Sequence, residues 1–333
     1  MKEAKEKLKS REKEKINLTD NDAKFQKDKG RIIAGYRGEL AVDSDNQVIV
    51  ANDVTNDQND VPCLMPMVEQ VLGNAALIQG TREWEPIKVC ADAGYSSGRN
   101  LTELGKENYR NKIDPYIPRT KTEGKKRGKG QDVRHDVNSP FHRSKFVYNE
   151  RENSFTCPSG KTLHYIRENQ IRGVKYSLYQ NYDGCRRCKY FVKCTNNKNG
   201  RSIWISEYQP LIEKMEEKLR TENGKKIYGK RKWVVEPVIG NISYNLGFRE
   251  FLLRGKDKVR GEFSLICIGH NLLKIRTYLK RYKMSLKDLL IYKRSGVKLG
   301  KDLRIREGII LFSHCLNPVK AKILGYHFQN LAV

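Results

Sequence analysis

Apolar residues first gather in two β-rich runs, Gly35 to Asp43 (GYRGELAVD) and Gln47 to Thr55 (QVIVANDVT). The residues between them, Ser44-Asp45-Asn46, are turn formers, so the pair predicts a β-hairpin. From about Val61 to Ile78 the spacing becomes helical, with Leu64, Met67, Val68, Val71 and Leu72 on one face. A short buried strand follows, Ile87 to Ala91. It stops at Asp92-Ala93-Gly94-Tyr95, after which Ser96 is placed to cap a helix running toward Leu104. Asp114 to Pro118 predicts another short strand. Residues 131–205 read as β-like and carry several cysteines. Helical character returns near Gln209 and dominates to about Met284. The apolar cluster Ile309, Ile310, Leu311 and Phe312 finds no place in this scheme, and residues 1–15 read as a solvated helix without an apolar stripe.

Strand, strand, helix, strand, helix, strand and then helices is an α/β pattern with a mixed sheet. The expected division is a charged helical connector (1–16), a first part of an α/β domain (17–118), a basic insertion with a cysteine cluster (119–208), helices returning to the α/β domain (209–284) and a tail (285–333). Asp92 falls just past a core strand, and ligands and catalytic groups in open α/β sheets gather at that edge.

Charge changes the picture more than length does. The 333 residues hold 65 Lys and Arg against 39 Asp and Glu, a formal net charge of +26. Such an excess attracts polyanions, and DNA or RNA is the expected partner. A membrane surface is disfavoured because no apolar run reaches the ~18 residues that a span requires. The first fifteen residues contain no apolar stretch resembling a signal peptide. These features predict a cytoplasmic protein, in which the eight cysteines are thiols or metal ligands rather than disulfides.

Cys157, Cys185, Cys188 and Cys194 lie within the insertion, and Cys185-x2-Cys188 has the spacing of a zinc site. Cys157 stands in Cys-Pro-Ser-Gly, a knuckle-like turn, and His164 is a reserve ligand. Either the four bind Zn²⁺, or they are reduced thiols in a small β core. The other cysteines, Cys63, Cys90, Cys267 and Cys315, sit in apolar settings and read as packing residues. His270-Asn271, inside the apolar helix Phe263 to Ile275, reads as a hydrogen-bonded core pair rather than a base.

The segment Val89 to Leu101 (VCADAGYSSGRNL) resembles the second-aspartate motif of bacterial insertion-sequence transposases of the DDE, RNase H-like type. Arg231 to Lys274 (RKWVVEPVIGNISYNLGFREFLLRGKDKVRGEFSLICIGHNLLK) resembles the third-carboxylate motif of the same family. Asn17 to Asp60 is similar to the family's lead-in and paired strands. The resemblance thus covers most of residues 17–280. Ser243 departs from it, standing where the family usually has Lys or Arg for the transposon-end backbone.

The resemblance implies an RNase H-like mixed sheet with flanking helices and a basic, cysteine-containing, β-rich insertion. It implies Asp92 and Glu236 as carboxylates that bind Mg²⁺ or Mn²⁺. In such chemistry two ions about 3.5–4 Å apart activate the attacking oxygen and stabilise the leaving one. Carboxylates suit Mg²⁺, which takes hard oxygen ligands and keeps several waters. Pro237 is expected to mark a helix start or a kink beside Glu236. The implied activity is DNA strand cleavage and strand transfer of an insertion sequence. The partners are terminal inverted repeats and target DNA, with the protein a homo-oligomer when on DNA, among the nucleoid of the bacterial cytosol. Lys125, Lys126, Arg127, Lys129, Arg186, Arg187, Arg231, Lys232, Arg249 and Arg254 are the candidate phosphate contacts. In the family the first Asp stands in an Asp-Gly-Thr turn, which is absent from this sequence. The first strand and its Asp are therefore expected upstream of Met1, leaving an unpaired sheet edge and a poor catalyst. The competing reading takes Asp43 as the first ligand, although an Asp before Ser-Asp-Asn is also ordinary hairpin chemistry. The alternative function is a non-catalytic DNA-binding remnant of a decayed element.

Overall fold

The computed structural model describes residues 16–28, 31–79, 85–119, 139–285, 287, 309–314 and 319–320. The connector at 1–15, the basic run with Lys125, Lys126, Arg127 and Lys129, and Cys315 lie outside them. The chain divides into two compact units, one formed by residues 1–118 with 215–333 and the other by Arg119–Lys214.

Among the described residues, the first unit is built on a mixed seven-stranded sheet. Strand β1 (Lys24–Asp28) pairs antiparallel with β2 (Arg31–Asp43), and β2 with β3 (Ile49–Thr55), so the predicted hairpin is present and β2 is longer than its apolar pattern indicated. Helix α1 (Leu64–Gln79) follows a short 3₁₀ turn. Strand β4 (Ile87–Cys90) leads to α2 (Gly98–Leu104), α3 (Glu107–Arg110) and β5 (Ile113–Tyr116). The cap of α2 is Ser97, whose hydroxyl accepts from Asn100 N at 3.0 Å, and not Ser96. Ser96 instead closes the preceding 3₁₀ turn by donating its own N–H to Ala93 O. Pro115 is tolerated because β5 ends the sheet path, where a missing ladder donor costs little.

In the second unit, β6 (Val147–Asn149), β7 (Ser154–Thr156), β8 (Thr162–Ile171), β9 (Val174–Gln180) and β10 (Ser202–Ser206) form an antiparallel sheet. The short helices α4 (Tyr182–Arg186) and α5 (Phe191–Cys194) stand between β9 and β10. Its buried cluster is small: Phe146, Phe155, Leu163, Tyr179 and Ile203.

Helix α6 (Gln209–Arg220) leads back into the first unit. Lys218 donates to Pro115 O at 2.8 Å and pairs with Asp114. Helix α7 (Glu222–Gly240) is capped by Thr221, and α8 (Lys256–Arg281) follows a π-turn at Asn241–Asn245. Pro237 lies inside α7 and does not start it. Proline has no N–H, so the carbonyl of Trp233, four residues back, loses its helical donor. Gln47 Nε2 donates to that carbonyl at 3.3 Å, which lets the helix run through the proline.

The strand between β2 and β4 is β11 (Ile309–His314), antiparallel to β2 and parallel to β4. The apolar stretch that had no place in the sequence reading therefore fills the sheet where an unpaired edge was expected. Strand β12 (Val319–Lys320) pairs with the outer half of β2.

One face of this sheet packs on α7 and α8 through Leu40, Val42, Val54, Val234, Val235, Val238, Phe251 and Phe263. The other packs on α1 through Leu64, Met67, Val68, Val71 and Val89. Gly38 is required by the first packing, since a Cβ there would stand 2.8 Å from ring atoms of Phe263. His270 is fully buried. Its Nδ1 accepts from Asn241 Nδ2 at 2.9 Å and its Nε2 donates to Gln47 O at 2.9 Å, with tautomer assigned from those partners. Burial lowers its pKa, in keeping with a neutral ring. Asn271 brackets Ile49, accepting from its N–H and donating to its carbonyl, both at 2.8 Å. The pair is structural, as its apolar setting indicated.

Candidate active site

Strand β4 delivers Asp92 to the C-terminal edge of its parallel pairings with β5 and β11. Asp92 leaves the strand in an extended conformation and its Oδ1 accepts from Ala93 N at 2.8 Å. Oδ2 faces Arg231 Nη1 at 3.5 Å. The carboxylate is 36% exposed and the Arg231 side chain 16%, so the pair sits at the rim rather than in the core. Arg231 also lies over the ring of Tyr228, 5.8 Å from its centroid. Burial raises the Tyr228 pKa, with Arg231 opposing the shift. The two segments of the sequence reading, Asp92 with its turn and the basic helix α7, are thus joined by one ion pair.

Gly94 and Tyr95, which follow Asp92, have separate duties. A Cβ on Gly94 would overlap Asp60 Oδ2, so only glycine lets this turn approach the Arg37–Asp60 ion pair. Arg37 further donates to Asp57 O at 2.6 Å. The Tyr95 hydroxyl donates to Glu39, a carboxyl only 1% exposed. Burial pushes Glu39 up to about 7, against the opposing pull of the Tyr95 hydrogen bond and of Arg37. Sequence reasoning missed Glu39, Arg37 and Asp60. The available signal was two charged residues inside the otherwise apolar strand GYRGELAVD.

Glu236 lies on α7 and is exposed. At 100° per residue it points about 140° round the helix from Arg231, the residue that reaches Asp92. Its side chain has no hydrogen bond or ion pair among the described residues. Trp233, one turn earlier, is 81% exposed.

Asp43 ends β2 opposite Ile310, whose neighbour on β4 is Val89. Cys90 and Ala91 still separate that level from Asp92, roughly 10 Å along the strand at ~3.3 Å per residue. Its Oδ2 accepts from Asn46 N at 2.8 Å and Asp45 N at 3.2 Å, the bonding of a hairpin turn. Glu39, opposite His314, is the β2 carboxyl at the Asp92 end.

Of the candidate phosphate contacts, Lys232 and Arg249 are exposed on the first unit and Arg254 is half-buried. Arg231 is turned onto Asp92. Arg186 and Arg187 are exposed on the second unit, and Arg186 donates to Tyr182 Oη at 2.9 Å. Other conspicuous polar residues are clamps. Asp20 accepts from Tyr36 Oη at 2.9 Å and Gly255 N at 3.1 Å, and Asp22 accepts from Lys256 N at 3.3 Å at the start of α8.

In the second unit, Cys157, Cys185, Cys188 and Cys194 line one small pocket, and His164 does not. All four are half-buried, and burial pushes the Cys194 thiol up to about 11. Among the described residues, no group of three or more His, Cys, Asp or Glu is arranged to hold a metal ion. The carboxylates of Asp92 and Glu236 nevertheless match Mg²⁺ in donor chemistry, since both are accessible hard oxygen ligands.

The geometry defines an α/β protein that presents a carboxylate at the C-terminal edge of a parallel strand pair, held by a basic helix. Residues 156–276, a stretch containing all of α7 and most of α8, match the family model described as transposase DDE domain, a match that supports a DDE-type transposase. No curated protein and no solved structure matches the chain. None of its described helices is long and apolar enough to cross a membrane.

Proposed function

We propose that the chain is a DDE transposase that cuts and joins the DNA strands of an insertion sequence with the help of Mg²⁺ or Mn²⁺. The observation that carries this reading is the Asp92–Arg231 ion pair, which ties the strand-end carboxylate to the helix bearing Glu236 within the matched domain. A central strand antiparallel to β2 and parallel to β4 supports an RNase H-like sheet. The net charge of +26 supports DNA as the partner, and the same reading takes it as terminal repeats and target, in the bacterial cytosol, with several copies of the chain assembled on it.

In this reading Asp92 and Glu236 would hold the metal, which would supply Lewis-acid activation of a phosphate oxygen and of the attacking water or 3′ hydroxyl. The remaining tasks fall to the chain itself. Arg231 orients the Asp92 carboxylate while the site is empty of substrate and is close enough to meet a phosphate oxygen when DNA arrives. Lys232, Arg249 and Arg254 neutralise backbone phosphates near α7, and Arg186 and Arg187 do so on the insertion. Tyr95, bonded to Glu39, fixes the turn that aims Asp92.

The test is a nicking assay with Mg²⁺ or Mn²⁺ on DNA carrying the element's ends, beside a binding titration at rising salt. Nicking abolished by Asp92→Asn and by Glu236→Gln, with salt-sensitive binding kept, is the expected result. DNA binding without any cleavage would leave a DNA-binding remnant. Cleavage unaffected by both substitutions would place the chemistry elsewhere.

A further inference from the structure

The second unit poses a problem of stability. Five buried residues, Phe146, Phe155, Leu163, Tyr179 and Ile203, are its apolar cluster among the described residues. Small domains with so little core ordinarily need disulfides or a metal. Beside this cluster four cysteines from three separate segments open onto a common pocket: Cys157 after β7, Cys185 and Cys188 around the end of α4, and Cys194 at the end of α5.

Tight turns carry three of the four thiols. Cys157 heads a tight turn in which Cys157 N donates to Lys161 O and Gly160 N to Cys157 O, both at 2.8 Å. Gly160 takes φ +78, which a side chain would disfavour. The turn aims Lys161 N at Cys157 Sγ, 3.3 Å away. Cys185 and Cys188 share a second turn, closed by Cys188 N donating to Cys185 O at 3.0 Å. Burial raises the Cys185 thiol, and the backbone N–H of Arg201, bonded to its sulfur, opposes that shift. Such N–H groups stabilise thiolates, the form that binds metal. Ser159 Oγ lies 3.1 Å from Cys157 Sγ and 3.7 Å from Cys188 Sγ, so one hydroxyl bridges sulfurs of the two turns.

We propose that Cys157, Cys185, Cys188 and Cys194 hold one structural Zn²⁺ that staples the β6–β10 unit. The sulfurs line the pocket without meeting at one point, and the metal draws them together. Zinc bound by four thiolates is tetrahedral with Zn–S about 2.3 Å, which displaces the Ser159 hydroxyl from between the two turns. Binding releases the thiol protons to solvent and leaves a site of two negative charges, offset by the cations Lys161, Arg186, Arg187 and Arg201 in the same turns and pocket wall. A structural rather than catalytic ion follows from four protein ligands, which leave no open position. This inference does not depend on the cleavage chemistry proposed for Asp92.

The experiment uses the full chain purified under reducing conditions without chelator. Elemental analysis is expected to find about one zinc per chain, the stoichiometry of a closed four-thiolate site. Exchange of the metal for Co²⁺ is expected to give the near-ultraviolet thiolate-to-metal band and the visible bands of a tetrahedral sulfur site. Cys188→Ser and Cys157→Ser should each lower retained zinc, while Cys63→Ser, in the first unit, should not. Zinc below about half an equivalent, with no thiolate band on Co²⁺ addition to the wild-type chain, would show a pocket of reduced thiols. Iron with acid-labile sulfide in place of zinc would overturn the assignment equally.

Discussion

The two units solve the same problem with unequal means. In the sheet unit, two apolar clusters sandwich a seven-stranded sheet, and its buried polar groups are used as clamps between elements. Tyr36 with Asp20, Tyr95 with Glu39 and Asn271 with Ile49 are three of them. In the β6–β10 unit the buried apolar cluster among the described residues is five residues, and the nearest comparable resource is four thiols around a pocket. Where apolar area is plentiful, polar contacts refine geometry. Where it is scarce, a few strong ligand bonds must substitute for it.

That contrast can be broken at four places, in order of expected effect. A strong chelator should unfold the β6–β10 unit and leave the sheet unit intact, because structural zinc contributes folding free energy outright. Limited proteolysis with mass spectrometry reads this directly. Cleavage within 139–214 should accelerate on chelation, and an unchanged digest would equate the two units.

Phe263→Ala should next cost the sheet unit roughly 3–5 kcal/mol, the usual loss for a fully buried phenylalanine. The ring packs against Phe248 and Phe251 and covers Gly38. Chemical denaturation followed by α8 helicity measures it. A loss below about 1 kcal/mol would mean that α8 is not seated on β2 as described.

Glu39→Gln tests whether clamps trade stability for position. Glu39 titrates from 4.5 when unfolded to about 7 when folded, so the folded state holds the proton more tightly. Its contribution is fully present below pH 4.5 and is lost as pH rises through 7. Replacement by neutral Gln, which can still accept from Tyr95, should raise stability at pH 8 by roughly 1–3 kcal/mol and little at pH 4. The difference between variant and parent isolates this from His270, whose lowered pKa acts in the acid range. A pH-independent difference would refute the burial argument. At the bottom of the scale, Lys106→Ala removes an exposed pair with Glu103 and should change stability by no more than about 0.5 kcal/mol. A loss well above that would show that this exposed ion pair carries stability of its own.

The elements legible in the sequence were those whose signal is local. The hairpin of β2 and β3, helix α1 and strand β4 follow from short-range periodicity and turn chemistry, and the core role of His270-Asn271 from its apolar helix. Asp92 was legible as a strand-end residue because Ile87 to Ala91 is a short apolar run that stops at it. Pro237 was expected to start or kink a helix, because proline disfavours a helical conformation in the residue before it, and it does not start α7 but lies within it. The carbonyl that the proline leaves without a helical donor is met by Gln47, a side chain from another part of the chain.

The sequence by itself determined the charge, the α/β alternation and the residue types that suit DNA chemistry, because each depends only on composition or on neighbours a few positions apart. The tertiary structure alone decided that Ile309–His314 fills the sheet between β2 and β4, since strand pairing at long separation leaves no periodic trace. It also decided that Arg231 faces Asp92 and that Tyr95 is spent on Glu39 rather than on solvent. Such partners are chosen by distance in space, and a chain in one dimension carries no record of that distance until its cores have packed.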